Sequence, residues 1–170
     1  VPAALLEVIF NKNTPQDFYE FKHLLNFLFF YLGCYFFYLI LIERFNRFIS
    51  LAGTLLFILS PRIYGESFYN MKDIIYLTFM CAAYYFCLKS FLSMNFKNMF
   101  FLALFSAVCI QLRIFGLLIP FSFISFYLLS LLARSKDIKE VNKIIFFIIL
   151  TISLTYVLWP YLWENPLSSF

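Results

Sequence analysis

The chain has 170 residues, of which 64% are hydrophobic and 13% are charged, with a formal net charge of +4. A water-soluble domain carries roughly 25% charged residues, so too few polar side chains exist here to cover a water-facing surface. The basic residues are scattered rather than clustered, which argues against nucleic acid as a partner and fits the charge bias of membrane loops.

Residues 1–23 mix polar and apolar side chains, contain no signal-peptide pattern, and are expected to lie outside the membrane. With Val at position 1, the chain reads as a segment of a longer membrane protein that has a further helix upstream. Residues 24–42 are uncharged and, at ~1.5 Å per residue, cover the ~30 Å hydrocarbon core. Glu43-Arg44-Phe45-Asn46-Arg47 ends that span. The next apolar run, 48–59, is short, so its helix must borrow Asn46 or Arg47 or thin the bilayer. Residues 60–73 read as a polar loop. Residues 74–92 form the following span, with Lys89 placed to snorkel. After a turn at 93–98, residues 99–112 and 114–132 are two spans broken near Gln111, Arg113 and Gly116. A polar loop at 134–143, a last span at 144–159 and an outer tail at 161–170 complete the chain.

The expected fold class is all-α: a single polytopic transmembrane bundle of about six spans within residues 24–160. Cys34, Cys81, Cys87 and Cys109 fall inside apolar runs without a CxxC pair, as small buried residues do. With only four Gly, helix packing is expected to rest on Ala, Ser and aromatic surfaces rather than on close Gly contacts.

Six alternating spans sort the loops into two sets. One carries Arg44, Arg47, Lys89, Lys97, Arg134, Lys136, Lys139 and Lys143, and the other Lys12, Lys22, Arg62, Lys72 and Arg113. The first set is the more basic and is expected in the cytoplasm. The other face collects mixed charge, His23 and several aromatic residues.

On that face Asp73 precedes an apolar helix. Its plain role there is a helix cap. Its functional role would be to bind a metal or a substrate group from a polar cavity. Arg62 and Lys72 can hold phosphate oxygens or simply snorkel. Arg113 interrupts a long apolar stretch, and an ionisable residue near membrane depth is a functional candidate. Its plain role is a turn residue at the headgroups. His23 is the single histidine, so no His-based metal cluster can form. Trp159-Pro160-Tyr161-Leu162-Trp163 has the look of an interfacial aromatic belt. No nucleotide-binding or hydrolase motif occurs.

The run Ser60-Pro61-Arg62-Ile63-Tyr64-Gly65-Glu66-Ser67-Phe68-Tyr69-Asn70-Met71-Lys72-Asp73-Ile74 resembles a loop of bacterial polytopic glycosyltransferases of the GT-C fold. These are akin to the dolichyl-phosphate-mannose protein mannosyltransferase family. Relatives carry a Ser-Pro-Arg start, then Phe-Tyr-Asn, then Lys-Asp at the head of the next helix. Tyr19-Glu20-Phe21-Lys22-His23-Leu24-Leu25-Asn26 resembles the entry to the family's second helix, Arg113-Ile114-Phe115-Gly116 a basic-plus-glycine position, and Trp159 to Pro166 a turn after a later span.

The resemblance implies a transferase that takes a sugar from a polyprenyl-phosphate donor on the non-cytoplasmic face of a bacterial inner membrane. Asp73 matches the family's second acidic position, which helps build the active site and in some members holds a divalent metal. Arg62, Lys72, Arg113, Tyr69 and Asn70 become substrate- and phosphate-binding candidates, with Glu66, His23 and Glu20 behind them. The family's first-loop acid, its catalytic base, has no clear counterpart and is expected upstream of Val1, so the segment alone is expected to be inactive. The acceptor is left open. Asp73, Lys72, Arg62 and Arg113 are expected to converge on one water-exposed pocket. The competing readings are a transporter or lipid-linked sugar flippase, using Arg113 and Asp73 as intramembrane charges, and a non-enzymatic membrane subunit.

Overall fold

The computed structural model describes residues 15–133 and 141–159. The expectations for residues 1–14, for 134–140 and for the tail from Pro160 lie outside them. Among the described residues there are helices and short connections, with no strand. In chain order the helices are α1 (Pro15–Ile42), α2 (Arg47–Ile58), α3 (Pro61–Tyr69), α4 (Met71–Leu92), α5 (Phe96–Leu112), a 3₁₀ turn (Ile114–Leu117), α6 (Leu118–Leu132) and α7 (Val141–Leu158). Each expected apolar span is thus a helix, because a chain without water around it can satisfy its backbone only internally.

Four stretches are long and apolar enough to cross a membrane: Tyr19–Ile42, Met71–Leu92, Ile114–Leu132 and Val141–Leu158. The chain is an integral membrane protein. α5, with 17 residues, is about 25 Å long and sits at the lower limit for a span. α2 is too short alone. Together with α3 it passes as one apolar unit bent by 61°, either a broken span or a re-entrant loop.

Several boundaries differ from expectation, among them the start of α5, where residues 96–98 are helical rather than part of the turn at 93–98. Tyr19 to His23 lie within α1 and are helical rather than part of a separate outer segment. Lys143 lies inside α7 rather than in the preceding loop. The polar loop 60–73 is α3 followed by the first turn of α4. Pro61 opens α3, and spacing by four residues puts Ile63 and Ser67 on one face. Asn46 does not lengthen the short span but caps α2, its Oδ1 accepting from Ile49 N–H at 2.9 Å.

The chain divides into two compact units, Val1–Thr78 and Phe79–Phe170, with the boundary inside α4. In the first unit Phe30, Cys34 and Ile74 form a core against which Phe57, Ile58, Ile63 and Leu77 pack. Phe37 stacks on Phe57 with ring centroids 4.4 Å apart. Thr78 Oγ1 lies 2.7 Å from the Phe29 carbonyl and 2.8 Å from the Ile74 carbonyl, tying α4 to α1. A Cβ on Gly33 would meet Thr78 Oγ1 at 3.0 Å. Close glycine contact therefore does operate here, alongside the aromatic surfaces that composition suggested.

In the second unit α5 is the central helix. Met99, Leu102, Ala103, Ser106, Ala107 and Ile110 are buried on it, a stripe with helical period. α5 packs chiefly on α7 and on the 3₁₀ turn. Phe86 stacks on Phe101 and on Phe105, and Phe123 meets Phe147 edge-on at 5.1 Å. Lys89 reaches over the Tyr85 ring, 5.7 Å from its centroid. Cys34, Cys81 and Cys109 are buried, Cys87 is half-buried, and all four are free thiols.

Candidate functional site

The site in the first unit is built where α3 ends against α1. The last carbonyls of a helix have no partner within it. Here α1 supplies the partners. Asn26 Nδ2 donates to the Ser67 carbonyl at 2.8 Å and to the Glu66 carbonyl at 3.3 Å. His23 Nδ1 donates to the Phe68 carbonyl, which requires a proton on Nδ1. His23, Asn26, Phe27 and Phe30 lie at helical spacing on one stripe of α1, and Phe27 stacks on Phe68 at 6.1 Å. Asn26 is 1% exposed. Nothing in its sequence position set it apart from an ordinary interfacial amide, and it was not among the site candidates.

Asn26→Ala should lower stability by about 1–3 kcal/mol, because it strips donors from buried carbonyls. The check is the unfolding midpoint in detergent together with protease sensitivity around residues 66–70. An unchanged midpoint and cleavage pattern would remove the clamp from this account.

The chain leaves α3 at Asn70, whose φ of −94° and ψ of 77° are non-helical. Asn70 then starts α4. Its Oδ1 accepts from Asp73 N–H at 3.3 Å, and its Nδ2 donates to Asp73 Oδ2 at 2.8 Å. The capping residue is therefore Asn70, and Asp73 is the carboxylate of the first turn, held from both sides by that amide. This corrects the plain reading of Asp73 as the cap itself. Asp73 is half-buried, and its neighbours Lys72 and Tyr69 are exposed.

Arg62 is exposed at the opposite end of α3, about 10 Å along the helix axis from Tyr69. Glu20 is exposed on α1. Glu66 is half-buried, and its Oε2 has neither solvent nor a hydrogen-bond partner among the described residues. Asn26 Oδ1 is in the same condition, so the α1–α3 junction is rich in acceptors.

Arg113 belongs to the second unit. It is exposed and extended, with φ −150° and ψ 137°, between the end of α5 and the 3₁₀ turn. Its N–H donates to the Cys109 carbonyl at 2.9 Å, and its carbonyl accepts from Gly116 N–H at 2.8 Å. Asp73, Lys72 and Arg62 are thus brought onto adjoining elements of one unit, while Arg113 has its own setting in the other.

The metal expected from the resemblance was placed at Asp73. Among the described residues no three His, Cys, Asp or Glu side chains group as ligands. A hard cation takes several oxygens, and Asp73 brings one carboxylate, which accepts from Asn70 Nδ2. In comparisons with family models, curated proteins and solved structures, nothing matches this chain.

Proposed function

We propose that this chain belongs to a membrane glycosyltransferase that moves a sugar from a polyprenyl-phosphate donor to an acceptor on the non-cytoplasmic face of a bacterial inner membrane. The observation that carries the reading is the α1–α3 junction. Two stretches that resemble the glycosyltransferase family, Tyr19 to Asn26 and Ser60 to Ile74, are remote in the chain yet joined through His23 and Asn26. That junction leads into Asn70 and Asp73 at the head of an apolar helix.

The chemistry asks for these residue types. The bond between the sugar's anomeric carbon and the phosphate oxygen breaks, and its electron pair leaves with the phosphate. The anomeric carbon bonds the acceptor oxygen, whose proton passes to a base. Positive charge grows on the sugar and negative charge on the phosphate in between. Asp73, fixed by Asn70, faces the first need, and Lys72 and Arg62 of the same unit face the second; Arg113, in the other unit, is a further candidate cation for phosphate. The Arg fork matches phosphate oxygens in pairs.

A transporter is the second reading, favoured by the 61° break between α2 and α3. Transporters carry such breaks in symmetric pairs, and no 20–50-residue repeat is visible in this sequence.

The deciding experiment is sugar transfer from a polyprenyl-phosphate donor by the full-length protein, comparing wild type with Asp73→Ala and Arg113→Ala. Each variant should lose about 100-fold or more. Unchanged rates in both would sink the assignment.

A further inference from the structure

The second unit holds a cavity of about 720 Å³ between the end of α5, the 3₁₀ turn, α6 and α7. This lies within the ~300–1,000 Å³ of small-molecule sites. Its walls are apolar, with Ile114 and Leu117 from the 3₁₀ turn, Ile124 from α6, and Ile148 and Ile152 from α7. Two threonines in the α7 wall do not change this. Thr151 Oγ1 donates to the Phe147 carbonyl and Thr155 Oγ1 to the Thr151 carbonyl, each at 2.8 Å, so both hydroxyl protons turn back onto their own helix.

Tyr156 and Trp159 add a phenol hydroxyl and an indole N–H at the α7 side, and the two remaining polar side chains come from the end of α5 and bring donors. Arg113 brings a permanent cation with five N–H groups. Gln111 brings an amide whose Nε2 is buried and has no acceptor among the described residues. A buried N–H₂ without an acceptor costs free energy, and an incoming acceptor would remove that cost. Among the described residues no acidic side chain lines the cavity. The complement of this arrangement is a long apolar body ending in an oxyanion.

We propose that this cleft binds one membrane amphiphile, its single apolar chain lying along α7 and its anionic oxygens on Arg113 and Gln111. The chain gains from burial, at ~0.8 kcal/mol per CH₂ when the reference is water. Within a bilayer that gain largely disappears, because the competing solvent is also hydrocarbon. Selectivity must therefore come from the head group, through the Arg113 fork and the Gln111 amide. The inference stands on the second unit alone and holds whether or not the protein transfers sugar.

The test uses the full chain in phosphatidylcholine vesicles and no sugar. The probe is an alkyl phosphate with a photoreactive diazirine in its chain. The same chain bearing a neutral glucoside head is the control. Cross-linked peptides are mapped by mass spectrometry. The phosphate probe should label residues 144–159 at least about 10-fold more than the glucoside. Arg113→Ala and Gln111→Leu should each cut labelling severalfold. Ile152→Trp, which fills the cleft and leaves the donors in place, should abolish it. If Gln111→Leu fails to insert, Arg113→Lys serves instead: it keeps the charge, loses the fork, and should also label less. Inorganic phosphate at millimolar concentration should not compete.

Equal labelling by both probes would overturn the proposal, and so would labelling that survives Arg113→Ala. Full competition by inorganic phosphate would assign the donors to free phosphate instead. No labelling of the full chain would show the cleft filled by its own residues or by another copy, and would overturn the proposal as well.

Discussion

An Asp73→Asn protein should insert and fold as the wild type does, yet carry out the proposed sugar transfer about 100-fold more slowly or worse. The substitution separates the two roles open to this residue. Asn70 Nδ2 donates to Asp73 Oδ2 at 2.8 Å, and the carboxamide oxygen of an asparagine accepts that bond equally. Asn70 Oδ1 bonds the backbone N–H of residue 73, which the change does not touch. What disappears is the charge. At the first turn of a helix its loss costs about 0.3–1 kcal/mol of dipole interaction, too little to unfold the bundle. In a reaction that builds positive charge on a sugar, losing a positioned charged group costs about 10²–10⁴ in rate.

Asn70→Ala is the complementary variant. It removes the capping oxygen at a cost of about 1 kcal/mol and releases the carboxylate while keeping its charge, so its rate should fall less than that of Asp73→Asn. The measurements are initial transfer rates by the full-length protein and helix content by circular dichroism. A wild-type rate for Asp73→Asn would reduce Asp73 to a structural part of the helix start.

The second large effect is expected at Gly116, where alanine should destabilise the second unit by about 3 kcal/mol or more. A Cβ there would lie 2.4 Å from both the Cys109 carbonyl carbon and the Ile110 nitrogen, and 2.6 Å from the Cys109 oxygen. These are backbone atoms of the last turns of α5, not the ends of flexible side chains. They can retreat only if the 3₁₀ turn lifts away from α5. The Cys109 carbonyl also accepts from Arg113 N–H at 2.9 Å, so the same shift would re-aim Arg113. Overpacking of this kind commonly costs about 1–3 kcal/mol, and more when backbone must move.

Gly65 provides the contrast. Nothing lies within 4 Å of its Cβ position, and it sits inside α3. Gly65→Ala should be neutral or stabilise by about 0.5–1 kcal/mol, through higher helix propensity. Thermal unfolding of both variants in one detergent is the check. Similar melting temperatures for the two would contradict the close approach at Gly116.

Much of this was visible in the order of amino acids alone. A chain with so few charges cannot face water, and in lipid an apolar run must become a helix because no solvent satisfies its backbone. Hence the six apolar helices and the break at Arg113 were legible in advance. α3 was not. Its polarity and its proline read as a loop, and what makes it a helix is remote: Ile63 packs beside Phe30 and Ile74, and α1 supplies donors for its last carbonyls. Bonds from a side chain to a backbone oxygen some 40 residues away leave no local pattern.

Asn26 and Gln111 make the same point. Each looks like an ordinary amide in an apolar run, and only the neighbouring helices decide that Asn26 clamps α3 and that Gln111 turns a buried donor into a cleft. Composition acts through the solvent that surrounds every residue alike, so it can be read from a list. A site depends on which few groups are left facing one another once the helices have packed, and that is a property of the assembled structure.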